Sequence, residues 1–75
     1  MAQTEKDWIN SLAAALNVDV PTDEERDALL ALAAVAAHMS ERTAAPISCW
    51  LAARAGLTAL EGKALVEKLA SQVHE

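Results

Sequence analysis

The stretch "PTDEERDALLALAAVAAHM", residues 21–39, joins an acidic, hydrogen-bonding start to a run with almost no polar side on any face. Thr22 and Glu25 form a T-x-x-E capping box. The threonine hydroxyl accepts from the N–H three residues on, and the glutamate carboxylate returns to accept from the cap's own N–H. Asp23, Glu24 and Glu25 also complement the positive end of the helix dipole. From Ala28 to Met39 the only polar side chain is His38. A helix that is apolar nearly all round is one surrounded by neighbours. The segment therefore predicts a continuous rod over about 23–41, central to the domain and enclosed by three amphipathic partners.

Those partners follow from the punctuation of the chain. Alanine and leucine dominate, the aromatic residues are Trp8 and Trp50 alone, and β-branched residues are too few to build strands. A first helix is expected over 5–16, after the cap residue Thr4, with Trp8, Ile9, Leu12 and Leu16 on one face. Val18 and Val20, in the connector before Pro21, are expected to tuck onto the bundle. Pro46 suits the first turn of a short third helix over 46–55, because its missing N–H costs nothing there. Ile47, Trp50 and Leu51 are assigned to its inward face, and Gly56 can take the left-handed conformation that closes it.

Thr58 and Glu61 repeat the capping box and open a fourth helix over 59–73, with a stripe of Leu65, Val66, Leu69 and Val73. Gly62 projects toward that stripe. Glycine inside a helix costs about 1 kcal/mol relative to alanine, which implies close contact with another helix. The expected fold is thus all-α: a compact bundle of four helices in a single domain, 1–75, with residues 1–3 disordered.

A chain of 75 residues buries only about 60–65% of its unfolded surface, so its core is thin. Cys49 is the one cysteine, which excludes an internal disulfide and reads as a reduced thiol in a cytoplasmic protein. The longest uncharged stretch, Ala28 to Ser40, falls short of the roughly 18–20 apolar residues that span a bilayer, so no membrane segment is expected. A net charge of −5, with six scattered Lys and Arg, offers no basic stripe for phosphates and disfavours nucleic acid.

Candidate chemistry centres on the reversal after the central rod. His38 and Arg42 are four apart and would share a face of the last turn, where cations offset exposed carbonyls. If the turn also brings the N–H groups of Ile47 and Ser48 close, His38, Arg42 and Ser48 form a site for an anion such as phosphate or carboxylate. The soft or borderline metal ligands, Cys49, His38 and His74, lack converging spacing, so neither a metal nor another cofactor is expected. Cys49 beside His38 is the one nucleophile–base pairing open to the chain. With no glycine-rich loop and little room for a cleft, enzymatic activity is not expected. An acyl carrier protein shares the size, acidity and helix count, but the start of helix two reads "PTDEER" and lacks the attachment serine. Both tryptophans are expected to be mostly buried. The alanine-rich faces, including Ala52, Ala53 and Ala55, allow close helix approach within or between chains, so a homodimer is one open option.

Trp8, the run "LLALAAVAAH" ending in His38, Arg42, "AAPI" and "WLAARAG" resemble a family of small helical actinobacterial domains of unknown function. Its members occur alone or appended to proteins resembling molybdenum cofactor guanylyltransferases. Thr43 stands where that pattern carries a proline, and Ala53 where it often carries glycine. The resemblance implies a non-catalytic accessory or interaction module near molybdenum cofactor biosynthesis, with a nucleotidyltransferase as protein partner. No nucleotide-transfer motif is present in this chain, so the resemblance does not imply that activity.

Overall fold

A computed structural model describes residues 4–73. The disorder expected of residues 1–3 lies outside that span, as does His74. Among the described residues there are four helices and no strand: α1 (Glu5–Leu16), α2 (Asp23–Met39), α3 (Ala44–Arg54) and α4 (Ala59–Val73). The all-α bundle is therefore observed, with α2 at its centre.

The caps anticipated from sequence are formed. The Thr4 hydroxyl accepts from the Asp7 N–H at 3.1 Å. Thr22 and Glu25 exchange both bonds of the capping box, at 2.8 and 3.1 Å. Thr58 and Glu61 do the same at 2.8 and 3.1 Å. Each satisfies N–H groups that have no acceptor within their own helix. Asn17, at φ 58°, ends α1 in the left-handed region. Gly56, at φ 82°, does so just past α3, while the Leu57 N–H returns to the Ala52 carbonyl at 3.1 Å.

Three boundaries move, the end of α3 by a single residue, from 55 to Arg54. α2 stops at Met39 instead of about 41, because Ser40 leaves helical space at φ −145° and ψ −107°. α3 begins at Ala44, two residues early. Pro46 then occupies the third position of the first turn, where an N–H is still not needed.

The centre of the structure is a single side chain. Leu32, midway along α2, has no solvent exposure. It sits against Gly62 of α4. A methyl built on Gly62 would lie 2.9 Å from Leu32 Cδ1 and 3.2 Å from Ala52 Cβ on α3. Leu32 of α2 and Ala52 of α3 thus converge on one glycine of α4, which explains why a helix interior tolerates glycine there. Ala28, one turn before Leu32, is the other buried residue of α2.

Small residues make the contacts on α3 and α4 as well. The half-buried side of α3 is Ala44, Ala45, Ser48, Cys49 and Ala52, and that of α4 includes Ala59, Val66 and Ala70 around the buried Gly62. The inward assignment of Ile47, Trp50 and Leu51 is overturned: all three are more than half exposed. On α4 the contact stripe is rotated toward Gly62 and Val66, leaving Leu65 and Leu69 exposed.

α1 stands apart. α2 packs against α3 and α4, while α1 packs closely on none of them. The rod therefore has two enclosing helices where three were expected. Trp8 (55%) and Trp50 (60%) are exposed, against the expectation of burial, and Val18 and Val20 also lie open to solvent. The molecule measures 44 × 27 × 19 Å with a radius of gyration of 13.5 Å, against about 11 Å for a chain of this length packed to ordinary density.

Replacing Leu32 with aspartate places an unpaired charge where three helices meet, and thermal or urea unfolding of that variant should show no cooperative transition. Glu67→Gln removes only an exposed pair with Lys63, at 3.7 Å, and should change stability by less than about 0.5 kcal/mol. A cooperatively folded Leu32→Asp variant would place the core elsewhere.

Candidate interaction surface

The small-residue contacts of the bundle have a consequence for its exterior. When a helix packs through alanine and serine, its large apolar side chains must flank the contact or point away from it. Ile47, Trp50 and Leu51 of α3 take that outward position. The Arg54 guanidinium lies over the Trp50 ring, 6.0 Å from its centroid, a geometry in which the cation is attracted to the ring face. The outer face of α3 is thus an apolar patch carrying one tryptophan and one arginine, residue types enriched where proteins bind one another.

A second apolar surface lies where α1 approaches the start of α2. A cavity of 330 Å³ there is lined by Ile9 of α1, Val20 and Pro21 of the connector, and Leu29 and Leu30 of α2. The Glu5–Arg26 ion pair bounds it. The pairing is bidentate, with Arg26 Nε donating to Glu5 Oε1 at 3.0 Å and Nη2 donating to Oε2. Arg26 Nη1 also reaches Asp27 at 3.2 Å. This fork matches the carboxylate plane, and it ties the first turn of α1 to the second turn of α2. The Arg26 hydrogen bonds hold the Glu5 carboxyl below its ordinary value, and Glu5 in turn raises the guanidinium. Nothing in the sequence marked this pair, whose members are 21 residues apart.

The corner expected to bind an anion has a different arrangement. His38 is exposed in the last turn of α2. Arg42 is also exposed and lies in the turn beyond the end of that helix. Through the turn, the Ala44 N–H bonds the Glu41 carbonyl at 2.9 Å and the Ala45 N–H bonds the Arg42 carbonyl at 3.1 Å. Ser48, the fifth residue of α3, is past the four N–H groups a helix leaves open. Its side faces a shallow apolar depression of 170 Å³ with Val35, Met39 and Val66, in which neither His38 nor Arg42 takes part. Among the described residues, His38, Arg42 and Ser48 make no hydrogen bond or ion pair with one another.

No group of three or more His, Cys, Asp or Glu side chains is placed to hold a metal among the described residues. Among them, too, no helix is long and apolar enough to cross a membrane.

The sequence of α3 carries two apolar faces. Ala45, Ser48, Cys49 and Ala52 have helical spacing as regular as that of Ile47, Trp50 and Leu51. Size favoured one face as the core, and closeness of approach selected the other.

The Glu5–Arg26 pair makes α1 sensitive to acid. A carboxyl whose folded-state pKa is depressed contributes stability above its unfolded value and loses it as the pH falls through the folded one. Side-chain NMR of Glu5 should therefore show titration below that of a free glutamate, with exchange of α1 amides rising through the same interval. Arg26→Ala should return the Glu5 titration to the ordinary range, and an unchanged titration would show that the pair does not form in solution.

No curated protein and no solved structure is detectably similar to the chain. A family model does match it, from residue 1 to residue 75. A four-helix domain with apolar faces turned outward, matched over its whole length, belongs to the family described as a domain of unknown function, DUF6457.

Proposed function

We propose that this domain is a non-catalytic helical interaction module that docks a partner protein through the outer face of α3. The supporting observation is the outward placement of Ile47, Trp50 and Leu51 on a helix whose other side already packs on α2 and α4. A helix apolar on both sides buries one of them against something outside its own bundle. Trp50 with Arg54 over its ring forms an amphipathic anchor suited to an apolar pocket with an acidic edge.

The resemblance to domains associated with molybdenum cofactor guanylyltransferases supports a nucleotidyltransferase of that synthesis as the partner. The role would be docking or accessory, with no reaction step assigned to the chain's own residues. Binding of a phosphorylated ligand at His38, Arg42 and Ser48, the competing function, has less support, because α2 ends before Arg42.

Calorimetric titration of the domain into a purified molybdenum cofactor guanylyltransferase from the same source tests the proposal. Saturable binding is expected, weakened at least about tenfold by Trp50→Ala and unaffected by Ser48→Ala. Absence of binding would remove this partner, and binding indifferent to Trp50→Ala would remove the α3 face as the docking surface.

A further inference from the structure

We infer that the exposed apolar arc of α1, with Leu30 of α2, is the interface of a symmetric homodimer, covered by the same surface of a second copy. The inference stands on α1 and does not depend on what α3 docks.

The first support is the state of α1 in a single copy. It has 12 residues, a length at which an isolated helix is marginal in water. No other helix packs closely on it. What holds it is its caps, the edge formed by Ile9 and the buried Ala13, and one exposed ion pair. Exposed pairs contribute little. Yet Trp8, Leu12 and Leu16 recur at four-residue spacing along its open side, where helical geometry makes them one continuous stripe.

The second support is area. A folded monomer of 7.9 kDa is expected to expose about 4,400 Å², whereas this chain exposes 5951 Å². Within that surplus, Trp8, Leu12, Leu16, Val18, Val20 and Leu30 are each 40–62% exposed. At on the order of 100 Å² apiece they supply about 600 Å² of apolar surface per chain. That is most of the roughly 800 Å² that each partner contributes to a standard stable interface. Close packing of two such arcs would bring the exposure of each chain toward the monomer expectation.

The third support is charge. Each copy carries a net charge of −5, so two copies can meet only across a face with few unpaired acids. Along the stripe of Trp8, Leu12 and Leu16 the charge is Glu5, which Arg26 of the same chain already neutralises, while Lys6 and the acids Asp19 and Asp23 lie beside Val20 at the margin of the arc. A twofold contact requires a surface that is complementary to itself, and an apolar stripe with an internally paired end satisfies that condition. A protein with one cysteine cannot reinforce a thin core with an internal disulfide, and self-association is an alternative reinforcement that the chain always has at hand.

Sedimentation equilibrium and amide exchange on the wild-type chain, from about 1 µM to about 1 mM, test the inference together. The expected result is a mass twice 7.9 kDa at the upper end, with protection of α1 amides rising as the dimer forms. Leu12→Glu should weaken association at least about tenfold, and Trp50→Glu should leave it unchanged. A monomer at every concentration would overturn the inference. So would a dimer that Trp50→Glu disrupts and Leu12→Glu does not, or one in which α1 protection is independent of concentration. The amide-exchange arm uses no substitution, so a variant that fails to fold does not decide the outcome.

Discussion

Everything in this domain depends on how closely three helices approach one another at Leu32 and Gly62. The buried Leu32 of α2 and Ala52 of α3 both close on Gly62 of α4, an approach possible because Gly62 has no side chain and Ala52 a single methyl. Tight packing of this kind has little tolerance, since interiors are filled to the density of organic crystals. The capping boxes at Thr22 and Thr58 set where α2 and α4 begin, and so fix the register that puts Leu32 opposite Gly62. Local hydrogen bonds and the central contact thus specify the same arrangement.

The same contact determines what faces outward. Helices that meet through Ala28, Ala52, Gly62 and their small neighbours bring their axes together and push bulkier side chains to the flanks. Trp50, Leu65 and Leu69 are exposed for that reason, although composition alone would place them inside. α1 takes no part in the contact and remains tethered at its first turn by Glu5 and Arg26. The result is a small inner core and a large apolar exterior, a division suited to a module whose remaining apolar faces are completed by other chains. In chemical terms the exterior offers two distinct surfaces: a tryptophan–arginine patch on α3 and a leucine-rich stripe on α1.

Much of the fold was legible in the sequence because it is carried by local chemistry. Thr4, Thr22 and Thr58 set three helix starts, Gly56 marks a helix end, and Gly62 announced the close approach that Leu32 and Ala52 make to it. The orientation of α3 was not legible. Its two apolar faces are equally periodic, and choosing between them requires knowing that α4 presents a glycine instead of a leucine. The position of α1 was hidden for a related reason, since amphipathic periodicity marks an apolar face but not what, if anything in the same chain, packs on it. At the corner of His38, Arg42 and Ser48, α2 ends at Met39, two residues short of the boundary expected for it, so Arg42 lies in the turn and not on the helix. Two residues of helix rotate side-chain direction by about 200°, a little more than half a turn.

The most direct measurement is a double-mutant cycle between Leu32→Val and Gly62→Ala, read by urea unfolding. Alanine at position 62 gains about 1 kcal/mol of helix propensity but meets Leu32 and Ala52 at overpacked distances that cost about 1–3 kcal/mol, so alone it should destabilise. Shortening residue 32 costs about 1 kcal/mol through the lost methylene and removes the Cδ1 atom that Gly62 contacts. With valine at 32, alanine at 62 should then become stabilising, with a coupling of about 1–3 kcal/mol. Two effects that simply add to within about 0.5 kcal/mol, or a Gly62→Ala variant more stable than the wild type, would contradict the close convergence on Leu32.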